Sequence, residues 1–125
     1  MARNNQSAED YLETILILDQ RNGRVRSIDI ANELNYKKSS VSVAMKHLRE
    51  KNQIVVDSDG FIKLTDEGKK IAEMIYERHN FISSLLMDLG VDKDIALEDA
   101  CLIEHVISQE SFEAIKNFYN EVKKN

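Results

Sequence analysis

The residues best suited to chemistry lie close together near residue 100. Cys101, Glu104 and His105 have the i, i+3, i+4 spacing that places side chains on one face of a helix. A thiol, a carboxylate and an imidazole offer the sulfur, oxygen and nitrogen donors that transition metals bind. Taken alone, Cys101 is better interpreted as a small core residue than as a ligand. Glu104 and His105 favour ligation, because both need partners when they are desolvated beside an apolar stripe.

Three further candidate ligands lie in other segments. Asp10 and Glu13 are one turn apart on the first predicted helix, and His79 lies on a long helix. Each also has a structural interpretation: Asp10 can complete a capping box begun by Ser7, Glu13 can be a solvated residue, and His79 can be a partly buried polar residue. With the cluster near residue 100, they make a mixed nitrogen, oxygen and sulfur donor set.

Length and composition limit the alternatives. The chain has 125 residues, no proline, four glycines and one cysteine. It is too short for a barrel enzyme, and it predicts one domain or two small, mainly helical lobes. A single cysteine excludes an intramolecular disulfide and a CxxC zinc site. No segment resembles a membrane span or a signal peptide, so we expect a cytoplasmic protein without membrane association.

Positive charge is concentrated in one short segment, although the net charge is -5. Residues 36–51 carry five Lys and Arg residues against Glu50 alone. Two short helices, 27–34 and 38–51, are predicted here, and the second has an apolar stripe formed by Val41, Ala44, Met45 and Leu48. Two short helices joined by a tight turn, the second basic, indicate a helix-turn-helix.

The next residues predict a wing. Residues 54–56 and 61–64 are apolar strand candidates, and the turn between them contains Gly60. A helix-turn-helix followed by a hairpin is a winged helix, which binds double-stranded DNA. His47, between Lys46 and Arg49, is interpreted as a surface or phosphate-facing residue and not as a ligand. The predicted DNA-binding residues are Ser27, Lys37, Lys38, Ser39, Ser40, Ser42, Lys46 and Arg49.

The second half predicts a helical dimerisation domain. The first helix is expected to begin after Ser7, and a long helix capped by Thr65 runs to about residue 89. Helices over 94–107 and 111–123 follow. The domains are therefore predicted as 1–64, a winged helix-turn-helix, and 65–125, joined by the long helix. The last helix carries a stripe that a second copy would cover, consisting of Phe112, Ile115, Phe118, Tyr119 and Val122.

The chain resembles a known family in four segments: AEDYLETI, SIDIANELNYKKSSVSVAMKHLREK, LTDEGKKIAEMIYERHNFISSLLMDLGV and DACLIEHVIS. These segments are similar to the metal-dependent transcriptional regulators that include the diphtheria toxin repressor and the manganese transport regulator. The resemblance implies a homodimer that binds operator DNA when Fe(II) or Mn(II) is bound and represses metal-uptake genes. It places the metal ligands at Asp10, Glu13, His79, Cys101, Glu104 and His105.

The resemblance gives conflicting indications of which metal the protein binds. Asp10 and Glu13 match manganese-responding members, whereas Cys101 matches iron-responding members; Co(II), Zn(II) or Ni(II) are expected to substitute in vitro. Ser83 and Leu97 occupy positions where other members carry ligands, so a second metal site is incomplete. From the resemblance we expect the short form of the family, without an SH3-like domain.

The mechanism expected from these residues is a clamp, in which the metal ties the two lobes into the DNA-competent dimer. One alternative is a winged-helix regulator that needs no metal, with the six residues acting as caps and core. An enzyme using Cys101 and His105 is disfavoured, because no oxyanion donor or substrate cleft accompanies them. We therefore expect no catalysis and no small-molecule substrate.

Overall fold

A computed structural model describes residues 6–124 of the chain. In that range, six helices and one two-stranded sheet follow one another, which confirms the predicted mainly α fold with a winged helix-turn-helix. By their contacts, the described residues divide into two units, 6–74 and 75–124. The elements are α1 (Gln6–Asn22), α2 (Ser27–Leu34), α3 (Lys38–Glu50), β1 (Ile54–Val56), β2 (Ile62–Leu64), α4 (Asp66–Asp88), α5 (Lys93–Ile103) and α6 (Gln109–Lys124).

The unit 6–74 contains the predicted helix-turn-helix. Asn35 ends α2 with φ 58°, and the Tyr36 N–H donates to the Ala31 carbonyl at 3.0 Å. This left-handed residue reverses the chain within a short turn. Ser7 already lies inside α1, so the predicted helix start after Ser7 is wrong. The buried apolar side chains of this unit include Leu12, Ile15, Leu16, Ile30, Val41, Met45, Leu48, Ile54 and Ile62.

The wing is a short antiparallel hairpin in which Ile54 pairs with Leu64 and Val56 with Ile62. Its turn is organised by Asp57, whose Oδ1 accepts the N–H groups of Asp59 and Phe61, both at 2.9 Å. The Ile62 N–H donates to the Val25 carbonyl at 2.7 Å, so the hairpin is also attached to the segment before α2.

The start of α4 is fixed against the chain before the wing. As predicted, Thr65 caps the helix: its Oγ1 accepts the Gly68 N–H at 3.1 Å. The same hydroxyl donates to the Asn52 carbonyl at 2.7 Å, and the Thr65 N–H donates to the Gln53 carbonyl at 3.1 Å. Gly68 is buried, and a Cβ atom there would overlap the Gln53 carbonyl oxygen.

The unit 75–124 is built around Ile82, Ala100 and Phe112. Phe112 packs edge-on against Phe81, with the ring centroids 5.5 Å apart. The last helix starts at Gln109, two residues before the predicted start, because Ser108 caps it: Ser108 Oγ accepts the Ser111 N–H at 3.0 Å.

The predicted stripe of α6 is divided between the interior and the surface. Phe112 is 1% exposed and closes the core, whereas Phe118 is 72% exposed. Tyr119 packs against Phe81 and donates to Asp88. An apolar groove of about 570 Å³ lies along this side of the unit, lined by Leu85, Asp88, Leu89, Ile115, Phe118, Tyr119, Val122 and Lys123.

Among residues 6–124, no helix is both long and apolar enough to cross a membrane. The division between the two units falls within α4, after Met74. Residues of this one helix therefore belong to both units.

We predict that Gly68→Ala destabilises the protein. In an ordinary helix interior this change gains about 0.5–1 kcal/mol. Here the added methyl overlaps the Gln53 carbonyl, and overpacking of this kind costs about 1–3 kcal/mol. Urea unfolding followed by circular dichroism measures the difference, with Lys70→Ala at an exposed α4 position as the control. A stabilised Gly68→Ala variant would contradict the tight approach.

Candidate functional site

Four of the six predicted ligands belong to the unit 75–124, and the Cys101 Sγ lies within 4.8 Å of a carboxylate oxygen of Glu104. His79 on α4 has Nδ1 2.9 Å from Glu104 Oε2, and His105 has Nε2 3.4 Å from Glu104 Oε1. The Glu104 and His105 side chains are 0% and 1% exposed, whereas the His79 side chain is 25% exposed. A buried carboxylate is thus flanked by two imidazoles, one of which is accessible to solvent.

Cys101 differs from these residues in its environment. It lies in the last turn of α5, and it is exposed, so its interpretation as a core residue is wrong. The helix ends at Ile103; Glu104 is its C-cap, and His105 follows in a turn. The prediction of one continuous helix through these residues therefore fails at its end. Glu104 nevertheless keeps right-handed helical angles, φ −58° and ψ −25°, so the local spacing is close to the predicted one.

The donor set fits a divalent metal. Glu104 Oε1 is buried and has no hydrogen-bond partner among the described residues, because the 3.4 Å contact with His105 lacks hydrogen-bond geometry. A buried acceptor without a partner costs about 1–3 kcal/mol, and more if it is charged. A divalent cation would satisfy this oxygen. Carboxylate and imidazole donors suit Mn(II), Fe(II) and Zn(II).

Arg78 is a residue of this site that the sequence interpretation missed. It is 2% exposed, and its Nη1 donates to the carbonyls of Glu104 at 3.1 Å and Ile107 at 2.9 Å. Its Nη2 donates to Gln109 Oε1 at 2.9 Å. The sequence contained a pattern that predicts a buried Arg78, because Ile75, Arg78 and Ile82 have the spacing of the buried stripe of α4. A charged residue on a buried stripe is informative because it requires partners.

Asp10 and Glu13 lie on α1 in the unit 6–74, and both are half-buried. The Asp10 carbonyl accepts a hydrogen bond from Thr14 Oγ1 at 2.7 Å. Next to Asp10, burial raises the pKa of Tyr11, and Tyr36 and Asp10 raise it further. Tyr11 therefore remains a neutral phenol at neutral pH. Glu9 is 4% exposed, so this helix buries an acid that the sequence interpretation did not single out.

Ser83 and Leu97 are the two residues at which a second metal site was predicted to be incomplete. Ser83 is buried, and its Oγ donates to the carbonyls of His79 at 2.8 Å and Asn80 at 3.2 Å within its own helix. Leu97 is half-buried on α5.

The predicted DNA-binding residues lie mostly on the exposed side of α3. Val41, Met45 and Leu48 are buried, as the apolar stripe predicted. Ser27, the first residue of α2, is half-buried, and His47 is exposed. Seven predicted residues are exposed: Lys37, Lys38, Ser39, Ser40, Ser42, Lys46 and Arg49.

Two further basic residues adjoin the wing. Arg24 and Arg26 are exposed, and their guanidinium carbons lie 5.1 and 4.3 Å from the ring centroid of Phe61. Val25 between them is 0% exposed. This alternation of charged and apolar residues was the signal in the sequence for an extended segment with both arginines outside.

Comparisons with known proteins match both halves of the chain to one family of regulators. The family model described as iron dependent repressor, N-terminal DNA binding domain, matches residues 5–60, and the model described as iron dependent repressor, metal binding and dimerisation domain, matches residues 65–125. An uncharacterized HTH-type transcriptional regulator of Methanocaldococcus jannaschii is 35% identical over 121 residues, 95% of this chain and 97% of the relative. The transcriptional regulator MntR of Escherichia coli O157:H7 is 32% identical over 117 residues, 94% of this chain and 76% of the relative.

Solved structures show the same fold. The manganese regulator SloR matches with a TM-score of 0.80 and 29% identity, covering 90% of this chain and 53% of that chain. IdeR of T. acidophilum matches with a TM-score of 0.75 and 29% identity, covering 88% and 53%. This chain thus spans about half the length of these two solved chains. With two family models and relatives above 30% identity covering nearly all of it, the chain belongs to the iron dependent repressor family of metal-dependent transcriptional regulators.

Proposed function

We propose that this protein is a repressor that binds operator DNA in response to Mn(II) or Fe(II) and controls metal-uptake genes. The observation that carries the proposal is Glu104, a buried carboxylate with one oxygen near His79 and the other without a hydrogen-bond partner among the described residues. An unsatisfied buried acceptor flanked by imidazoles is suited to a metal ligand. The family to which the chain belongs supports the same function.

The proposed ligands are Asp10, Glu13, His79, Cys101, Glu104 and His105. Asp10 and Glu13 belong to the unit 6–74 and the other four to the unit 75–124. When bound, the metal supplies positive charge and bonds to residues that are distant in the sequence. We propose that these bonds clamp the DNA-binding domain, 1–64, and the metal-binding domain, 65–125, into the state that binds the operator. Differential affinity of the metal for that state is sufficient to shift the equilibrium.

The identity of the metal depends on Cys101. A thiolate ligand favours Fe(II), Co(II) and Zn(II) over Mn(II), whereas carboxylate ligands suit Mn(II). The name of one relative and the name of the family model point to different metals, since SloR is a manganese regulator and the family model is called iron dependent repressor. The exposure of Cys101 leaves its thiol accessible to an entering ion.

Operator binding is assigned to α3. Its buried stripe faces the core of the unit 6–74, and its exposed side carries lysines, an arginine and serines. Positive side chains neutralise phosphates and contribute most of the non-specific affinity. Small hydroxyls can approach bases or phosphates closely. Ser27 at the start of α2 completes the proposed contact surface.

A homodimer is proposed through the apolar groove of the unit 75–124. Phe118, Leu89 and Val122 are 72%, 72% and 55% exposed. A contiguous apolar surface of this kind is typical of an interaction site. The family model that matches residues 65–125 is described as a metal binding and dimerisation domain, which supports a second copy as the partner.

The first prediction from this proposal concerns the ligands. Metal-free protein titrated with Co(II) under anaerobic conditions should bind the ion and develop a near-ultraviolet charge-transfer band from sulfur to cobalt. Cys101→Ser should abolish this band. Glu104→Gln keeps the shape of the side chain but loses its charge, and it should weaken binding by more than the about 10–100-fold typical of an outer-shell change.

The outcomes of this titration are distinct. Binding without the band in the wild type would make Cys101 a bystander and favour an oxygen-rich, manganese-like ligand set. No binding, or unchanged binding in Glu104→Gln, would contradict the metal site. The family fold would then serve a regulator that needs no metal.

The second prediction concerns DNA. We expect metal-loaded protein to bind duplexes selected from a random library, and excess chelator to abolish the binding. Lys46→Ala should lower the affinity and reduce the slope of log affinity against log salt by about 0.9, the contribution of one phosphate contact. Lys93→Ala, which removes an exposed lysine of α5, is the matched control and should change neither quantity. Binding that is insensitive to chelator would support the metal-independent alternative.

The third prediction concerns assembly. Phe118→Asp places a charge in the apolar groove and should convert a dimer into a monomer, because an unpaired charge is costly to bury. Light scattering after gel filtration should give twice the chain mass of 14.4 kDa for the wild type and the single mass for the variant. Asn117→Asp adds the same charge at an exposed neighbouring position of α6 and should remain dimeric. A dimeric Phe118→Asp variant would exclude this groove as the interface.

A further inference from the structure

The turn between α5 and α6 is held by one buried side chain. Arg78 on α4 donates from Nη1 to the carbonyls of Glu104 and Ile107, at 3.1 and 2.9 Å. Its Nη2 donates to Gln109 Oε1 at 2.9 Å. These three acceptors lie at the end of α5, in the turn and at the first residue of α6. One guanidinium thus binds both ends of the turn that contains Glu104 and His105.

The position of Arg78 is itself well determined. The side chain is 2% exposed, and its guanidinium carbon lies 5.6 Å from the ring centroid of Phe112, which is 1% exposed. A planar guanidinium with several fixed N–H groups holds acceptors at defined angles. Burial between an aromatic ring and a set of carbonyls therefore leaves this side chain little freedom to move.

Arg78 and His79 are consecutive on α4, and both contact Glu104. Arg78 binds the backbone carbonyl of Glu104, whereas His79 Nδ1 lies 2.9 Å from its carboxylate Oε2. The backbone and the side chain of the same residue are thus oriented from one helix turn. We propose that Arg78 is the positioning residue of the metal centre: it fixes the Glu104–His105 turn so that the carboxylate and imidazole are already oriented when the metal arrives.

This inference rests on the proposed metal site, but it assigns a role to a residue that does not itself bind the ion. Arginine is required because lysine, with a single nitrogen, cannot hold two carbonyls and an amide oxygen in one plane. Among the three acceptors of Arg78, Gln109 is the one that can be changed with the smallest cost. It is exposed, and its Nε2 donates to Glu113 Oε2 at 2.7 Å. Removing its amide therefore loosens one contact of Arg78 without leaving a buried cation unpaired.

The test compares Arg78→Lys and Gln109→Ala with the wild type. Co(II) affinity of folded, metal-free protein is measured by anaerobic competition titration well below the melting temperature. Arg78→Lys should lose about 10–100-fold in affinity, the usual effect of an outer-shell change. Gln109→Ala should change the affinity in the same direction by a smaller factor.

A matched control separates positioning from general packing. Lys116 on α6 pairs with Glu77 on α4 at 2.5 Å, so Lys116→Ala removes a contact between the same two helices away from the turn. Its Co(II) affinity should equal that of the wild type. A second readout needs no metal: the imidazole nitrogen signals of His79 and His105, observed by NMR in metal-free protein, should shift in Arg78→Lys and Gln109→Ala but not in Lys116→Ala.

These measurements decide the proposal in each case. Wild-type affinity and unshifted imidazole signals in a folded Arg78→Lys variant would overturn it. If Arg78→Lys does not fold, the same two readouts of Gln109→Ala decide. If the wild type binds no Co(II), the proposed function fails, and the imidazole signals of the metal-free variants alone then support or overturn the positioning role.

Discussion

The burial of one carboxyl group constrains the arrangement of the unit 75–124. Glu104 has no exposed surface, and a carboxylate removed from water is stable only when nearby groups replace its hydration. His79 lies 2.9 Å from one oxygen, whereas the other has no hydrogen-bond partner among the described residues, and Arg78 binds the backbone carbonyl of the same residue. These groups come from α4 and from the turn after α5. The packing of α4 against that turn is therefore inseparable from the electrostatics of a single side chain.

The end of α5 is accompanied by a contact from another helix. The sequence has neither glycine nor proline between Ile103 and Ser108, so no local stop signal predicts a helix end at Ile103. The carbonyls of Glu104 and Ile107 are instead bound by a guanidinium from another helix. Ser108 then provides a local start for α6. Two tertiary hydrogen bonds thus add to the local one from the Ile107 N–H to the Ile103 carbonyl at 3.1 Å, and no pattern within this segment reveals them.

Much of the fold was predictable, because its signals are local. The spacing of Val41, Met45 and Leu48 predicted the buried face of α3, and Thr65 marked the start of α4. The residue types and spacing of Glu104 and His105 predicted neighbouring side chains, and His105 Nε2 lies 3.4 Å from Glu104 Oε1. The exposure of Cys101 could not be predicted. Helical spacing shows which side chains are neighbours on one helix, but it does not show which of them other helices bury. Arg78 was detectable from its place on an apolar stripe, but its partners are 26 to 31 residues away. Such contacts depend on how helices pack.

The short strands of the wing affect whether the hairpin can pair with strands of other molecules. A strand that lies at the edge of a sheet can template the addition of strands from other molecules, which leads to aggregation. Here each strand has only three residues, and the Ile62 N–H is already engaged by the Val25 carbonyl. Asp57, Asp59 and Lys63 add exposed charges along the hairpin. The hairpin therefore offers little free backbone for β-augmentation, and it can project from the domain without recruiting further strands.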